Sequence, residues 1–170
     1  RESRPMRVLV VGSGGREHVL CERLAASPRV SKLFASPGNA GIGKVAECVD
    51  LGSSRVRALV TFARDQHIDL VVVGPEAPLV DGLADELERF KIPVFGPHAA
   101  GAQLEGSKVF AKKLMRQNNI PTAAFQVFRH VQDARDYLGQ VDLPIVVKCD
   151  GLAAGKGVRV CHDRMSALAA

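Results

Sequence analysis

The stretch "MRVLVVGSGGREH" (6–18) decides the fold. An apolar run rich in valine ends in Gly12, Gly14 and Gly15. A short continuous apolar run closed by a turn predicts a strand buried on both faces, as in a parallel sheet. The next residues, "REHVLCERLAAS" (16–27), place Val19, Leu20, Arg23 and Leu24 on neighbouring helical faces, and Pro28 ends that helix. A glycine turn between strand and helix permits close backbone approach, and the helix N-terminus offers unpaired N–H groups to an anion. The same glycines would also serve a tight turn that binds nothing.

Working outward, strand and helix patterns alternate about every 25 residues. "VSKLFAS" (30–36) predicts a second strand, followed by the turn-rich "PGNAG" (37–41). "VRALVTFA" (56–63) sets Val56, Leu59, Val60 and Ala63 at helical spacing. "DLVVVG" (69–74) predicts a strand, "PLVDGLADELERF" (78–90) one helix with Leu79, Leu83 and Leu87 in a row, and "IPVFG" (92–96) a last strand. The pattern predicts an α/β fold with a doubly wound, Rossmann-like parallel sheet, whose ligand loops lie at the carboxyl ends of the strands. The rhythm changes near residue 104, so residues 6–104 are expected to form one domain and 105–170 to begin another. In the second part, "SKVFAKKLMRQNN" (107–119) predicts a helix and "IPTAAFQVF" (120–128) an extended stretch. A helix near 131–140 follows, and "PIVVKCD" (144–150) and "VRVCH" (158–162) are strands joined by a glycine loop. "RESRP" (1–5) reads as a remnant of a longer reading frame, with folding expected to start near Met6.

Composition narrows the function classes. Hydrophobic residues at 46% and charged residues at 24% are ordinary for a globular chain, and no apolar run approaches a membrane span. No secretory leader is visible, and Cys21, Cys48, Cys149 and Cys161 show no metal-ligand spacing. Free thiols in a reducing cytoplasm are expected. Cys149 and Cys161 could face each other across a hairpin. The net charge of +5 is concentrated: residues 107–170 carry 10 basic against 5 acidic side chains, while residues 1–106 balance at 13 and 13. With no Trp and one Tyr there is no aromatic-interleaved basic stripe for nucleic acid, so a small polyphosphate ligand fits that excess better, beside the alternative of a solvated basic face.

Three loops end predicted strands. In "VGSGGREH" (11–18) Glu17 stands where a dinucleotide turn needs Gly or Ala; a carboxylate suits neither close packing nor a nearby pyrophosphate, whereas Arg16 suits a monophosphate. "PGNAG" adds the Asn39 amide and "GPEAPL" (74–79) the Glu76 carboxylate, which suits ribose hydroxyls or an amine. Each alone is ordinary turn punctuation. A fourth loop, "GLAAGKGV" (151–158), resembles a P-loop but is not one. Only three residues separate Gly151 from Gly155, and Gly157 occupies the place of the magnesium-binding hydroxyl.

The ordered set "GSGGREH", "PGNAG", "VVVGPEAPL", "FGP", "LEGSK", "IPT", "VVK" and "GLAAGKGV" closely resembles the glycinamide ribonucleotide synthetase (phosphoribosylamine–glycine ligase) family, from about Met6 to His162. The resemblance implies a pre-ATP-grasp domain followed by the start of an ATP-grasp domain. It implies a cytoplasmic ligase of purine biosynthesis that joins glycine to 5-phosphoribosylamine, with ATP and Mg2+, through a glycyl phosphate. It places the phosphoribosyl substrate at Gly14, Gly15, Arg16, Glu17, Gly38, Asn39, Gly41, Pro75 and Glu76. ATP falls to Lys108, Lys148, Gly151, Gly155, Lys156 and Gly157, the last four in a flap that wraps the phosphates. No catalytic residue and no metal ligand is implied within these residues. The family's magnesium-binding carboxylates and asparagine lie downstream, so a fragment without turnover of its own is expected. Other readings are a nicotinamide-dependent oxidoreductase, a stand-alone sugar-phosphate-binding domain, or another ATP-grasp enzyme such as a biotin carboxylase or a formate-using ligase. Neither a nucleic-acid nor a membrane partner is expected.

Overall fold

The computed structural model describes residues 4–52, 55–153 and 156–170. The chain divides into two units, one ending at Gln103 and the other spanning Leu104–Ala170.

The first unit contains a five-stranded sheet. Its strands are Met6–Gly12 (β1), Val30–Pro37 (β2), Glu47–Cys48 (β3), Leu70–Val73 (β4) and Val94–Phe95 (β5), in the order β3-β2-β1-β4-β5. Every pairing is parallel, so the doubly wound parallel sheet expected from the strand rhythm is what forms. The apolar run of β1 is buried on both faces because its alternate residues enter different cores. Val8 and Val10 pack with Cys21 of the helix Gly15–Ala25 (α1), with Leu33 and Ala35 of β2, and with Val72 of β4. Leu9 and Val11 pack on the other side with Leu59, Val60 and Ala63 of the helix Val56–Asp65 (α2), and with Leu83 and Leu87. Phe34 of β2 meets Phe62 of α2 edge-to-face, with ring centroids 5.3 Å apart.

The single helix expected over 78–90 is two: Ala77–Val80 (α3) and Leu83–Arg89 (α4). Gly82 takes the left-handed conformation between them, at φ 87°, which glycine adopts without a Cβ clash. The leucine row survives the break, since Leu79, Leu83 and Leu87 are all buried. Local turn chemistry at "DG" therefore overrides helical periodicity without losing the apolar face. The last strand is also shorter than "IPVFG", and the helix Ala99–Gly106 (α5) was not anticipated.

The second unit opens with the helix Lys108–Gln117 (α6), whose first turn is capped by Ser107 Oγ accepting from the Phe110 N–H at 3.0 Å. After the stretch 120–128, which carries neither strand nor helix, comes the helix Val131–Leu138 (α7). The strands Ile145–Lys148 (β6) and Val158–Cys161 (β7) pair antiparallel, and the helix Arg164–Leu168 (α8) follows. Its N-cap Asp163 accepts from the Ser166 N–H at 2.7 Å. A small core of Leu138, Cys161 and Ala167 is flanked by Val141, Ile145 and Val147. Cys161 pairs in register with Ile145, and the Cys149 N–H instead bonds the Gly157 carbonyl, so Cys149 and Cys161 do not face each other. No helix among the described residues is long and apolar enough to cross a membrane.

The two-sided burial of β1 predicts where stability resides. Leu9→Ala removes a fully buried side chain and is expected to cost about 2–5 kcal/mol. Phe95→Ala, at a residue 72% exposed, is expected to stay within about 0.5 kcal/mol. Urea unfolding of both variants measures this, and equal losses would contradict the assignment of the core.

Candidate functional site

In the order β3-β2-β1-β4-β5 the chain winds outward from β1 and then returns to its other side, so connections diverge between β1 and β4. A crevice at the carboxyl ends is the usual ligand position in such a sheet. β1 ends there at Gly12, and the Gly74 N–H, just beyond β4, bonds the Val11 carbonyl at 2.9 Å. The turn after β1 and the loop after β4 are therefore neighbours.

Glu17 is what fills the space between them. It is only 5% exposed. Its Oε2 accepts from the Gly14 N–H at 2.7 Å, and its Oε1 accepts from Arg16 Nε at 3.1 Å. A Cβ built on Gly12, Gly14 or Gly74 would in each case run into the Glu17 side chain. From sequence, an acidic residue is ill-suited to close packing here. Three glycines instead clear room for it, and one carboxylate satisfies a helix-terminal donor from inside. Of the residues assigned to the sugar-phosphate site, Gly14, Gly15 and Arg16 are exposed at this turn, whereas Glu17 is its internal brace. Gly15 has open space where a Cβ would stand.

Asn39 ties the second loop to the first. Its Nδ2 donates to the Ser13 carbonyl at 2.8 Å, while its Oδ1 accepts from the N–H groups of Gly41 and Ile42 at 2.8 and 2.9 Å. The amide thus starts the 3₁₀ turn Ile42–Lys44 and holds the β1 and β2 loops together. The Gly38 N–H bonds the Gly12 carbonyl at 3.2 Å, and Gly38 sits at φ 71° with Cys48 Sγ where a Cβ would project. Gly41 packs against the His18 ring in the same sense. Pro75 is half-buried, and Glu76, exposed, begins α3 with its carbonyl accepting from Leu79 and Val80. All three loops therefore come to one end of the sheet.

In the second unit, Lys108 and the glycine loop meet. Lys108 Nζ donates to the Gly151 carbonyl at 2.8 Å. Asp150 bonds in the other direction: its carboxylate accepts from Ser107 Oγ at 3.0 Å and from the Val109 N–H at 3.1 Å. Burial pushes the Asp150 carboxyl up, but the donors Val109 N–H, Ser107 Oγ, Gly151 N–H and Lys108 N–H outweigh it and hold the pKa below the ordinary carboxylate value. Gly151 takes φ 86° with open space at its Cβ, and Lys148 and Lys156 are exposed on either side of the loop. The Lys156 N–H closes a turn on the Ala153 carbonyl at 2.8 Å, and Gly157 packs on Cys149 and Ala153. Gly155 lies outside the described residues.

Asp150, Ser107 and His18 were not singled out in the sequence. "SK" before an apolar helical run signals an N-cap, so Ser107 was findable. The use of Asp150, 43 residues from Ser107, depends on tertiary contact and has no local signal. Among the described residues no group of three or more His, Cys, Asp or Glu could hold a metal ion. Burial, with smaller effects of Cys48 and Glu17, pushes the Cys21 thiol up to about 11, so it is not a nucleophile at neutral pH.

Two family models match the chain: "Phosphoribosylglycinamide synthetase, N domain" over residues 6–105 and "Phosphoribosylglycinamide synthetase, ATP-grasp (A) domain" over residues 106–170. The phosphoribosylamine–glycine ligase of Brucella melitensis is 56% identical over 163 residues, 96% of this chain and 38% of the relative. That of Caldanaerobacter subterraneus is 48% identical over 162 residues, covering 95% of this chain and 39% of the relative. The crystal structure of the phosphoribosylamine–glycine ligase of Thermotoga maritima superposes with a TM-score of 0.74 at 30% identity, over 96% of this chain and 38% of that one. The biotin carboxylase domain of Hydrogenobacter thermophilus 2-oxoglutarate carboxylase shares the fold, with a TM-score of 0.75 at 17% identity, over 98% of this chain and 40% of that one. The chain thus spans well under half the length of the relatives it matches.

The Asp150 contacts generate a prediction with a definite sign. A carboxyl whose folded pKa lies below its unfolded value of about 3.9 stabilises fully above that value and loses the effect as pH falls through the folded pKa. Asp150→Ala is expected to cost about 1 kcal/mol at pH 7, the usual worth of a capping contact, and to speed amide exchange at Val109 and Gly151. The loss should shrink as acid protonates Asp150 in the wild type. Unchanged exchange at both amides would remove Asp150 from this role.

Proposed function

The chain belongs to the phosphoribosylglycinamide synthetase family, and from that premise we propose that it carries the sugar-phosphate half and the first ATP-binding elements of a phosphoribosylamine–glycine ligase. The proposed reaction joins the carboxyl carbon of glycine to the amine of 5-phosphoribosylamine, in the reducing cytoplasm. Glycine carboxylate is a poor electrophile. Transfer of the ATP γ-phosphoryl group to a carboxylate oxygen, with ADP leaving, supplies a good leaving group; the amine nitrogen then attacks the carbonyl carbon, loses a proton and expels phosphate to form the amide.

The observation that carries this reading is the convergence of three loops at the β1–β4 switch point. Gly14, Gly15 and Arg16 offer a helix N-terminus and a guanidinium to a phosphate, and Glu76 offers an exposed carboxylate to ribose hydroxyls or the amine. Gly38, Asn39, Gly41 and Pro75 shape the floor between them. We assign residues 6–104 to this substrate domain and 105–170 to the start of the ATP-grasp domain. In the latter, Lys108, Lys148 and Lys156 suit ATP phosphates by charge, with Gly151, Gly155 and Gly157 allowing the loop to approach them. The described residues do not fit a magnesium site of their own. A nicotinamide-dependent oxidoreductase is disfavoured, because the Gly14 N–H is occupied by Glu17 from within.

Titration of glycinamide ribonucleotide by calorimetry tests the assignment. Arg16→Ala removes a charge-assisted contact and is expected to weaken binding by about 1.5–3 kcal/mol, with a small fall in melting temperature because the buried Glu17 carboxylate loses its pairing with Arg16. Equal affinity in wild type and variant would take Arg16 out of the site.

A further inference from the structure

Glu17 has more connections than its position in a turn requires. It lies at the third helical position of α1, with Gly14 as N-cap. Its carboxylate bonds the Gly14 N–H at 2.7 Å and Arg16 Nε at 3.1 Å, and it packs where Cβ atoms on Gly12, Gly14 and Gly74 would stand. In a dinucleotide-binding turn the second glycine exists so that a pyrophosphate can approach the backbone. Here that approach to Gly14 is closed by a carboxylate, which is both steric filler and negative charge. The first-turn N–H groups of Gly15 and Arg16 have no intrahelical acceptor, and Gly15 has no heavy atom within 4 Å of a Cβ position. Room and donors for an anion remain on the Gly15–Arg16 side.

We propose that Glu17 is a positioning and specificity-determining residue. It locks the 12–16 turn against the loop after β4, aims the Arg16 guanidinium, and restricts the turn to a single phosphate by excluding a diphosphate. The proposal rests on the sugar-phosphate reading above and adds which anion the turn selects. Glu17 acts through Gly14 and Arg16, so it need not touch the ligand. Its burial is consistent with that.

The two contacts separate by substitution. Glu17→Gln keeps the volume and an acceptor for the Gly14 N–H but gives up the charge pairing with Arg16, whereas Glu17→Ala gives up both. Calorimetry on the full chain would use ribose 5-phosphate and ADP-ribose as probes, with melting temperatures recorded for each variant. The wild type is expected to bind ribose 5-phosphate and to show no ADP-ribose binding at the same concentrations. Glu17→Ala should lose at least tenfold in ribose 5-phosphate affinity and gain measurable ADP-ribose binding. Glu17→Gln should fall between the wild type and Glu17→Ala in monophosphate affinity, having kept the Gly14 bond and lost the Arg16 pairing, while still rejecting ADP-ribose, a graded loss that a merely stabilising side chain would show only in proportion to melting temperature. If Glu17→Ala does not fold, rejection of ADP-ribose by the wild type and Glu17→Gln decides the selectivity. A wild type that binds ADP-ribose as tightly as ribose 5-phosphate overturns the proposal. Wild-type binding of ribose 5-phosphate that Glu17→Ala leaves within twofold overturns the positioning role alone. A wild type that binds neither probe overturns the sugar-phosphate reading and the Glu17 role with it.

Discussion

One buried carboxylate holds the carboxyl end of the first unit's sheet together. Glu17 is enclosed by glycines that belong to two different strand ends, Gly12 and Gly14 at the end of β1 and Gly74 just beyond β4. Burying an ionisable group costs free energy unless it is hydrogen-bonded and paired, and here a backbone N–H and a guanidinium meet it. The glycines follow from that choice. Any side chain at those positions would occupy the space the carboxylate needs. Asn39 extends the same frame to the loop after β2 by donating to Ser13 and accepting from Gly41 and Ile42. Polar contacts between loops thus hold the turn from within and leave Gly14, Gly15 and Arg16 exposed.

The frame can be this precise because the sheet beneath it is stiff. β1 is central and its residues alternate between two cores, so both its twist and its register are determined by packing on each side. The carboxyl end of β1 and the start of α1 inherit that rigidity. Geometry at a binding turn depends on tenths of an ångström, and rigid elements supply it better than long loops do.

The second unit solves a similar problem with less apolar material. Its core is small, and much of its order at the glycine loop comes from reciprocal polar contacts. Asp150 takes donors from the start of α6, and Lys108 of α6 donates back to Gly151. The lysine expected to meet a phosphate is thereby tethered to the base of the loop that carries the other candidate donors. Two ties of opposite direction, one through Lys108 and one through Asp150, thus join the start of the helix to the base of the loop.

The strand–helix alternation, the parallel sheet and the family resemblance were legible because they rest on local signals: the valine run of β1, the helical spacing of α2, and glycine turns in a fixed order. The break at Gly82 was missed because a leucine row is blind to the backbone turn beneath it. α8 and the short β3 were missed because they are too brief to show a period. Glu17 was read as a misfit, since nothing adjacent in sequence shows that Gly74, 57 residues away, stands aside for it. Periodicity and turn chemistry are properties of neighbouring residues, so the sequence alone determined the longer elements, their order and the kind of fold. Which carboxylate is buried, which amide bridges two loops and which lysine is tethered depend on groups brought together from distant positions. The tertiary structure alone decided those, because hydrogen bonds and packing act through space rather than along the chain.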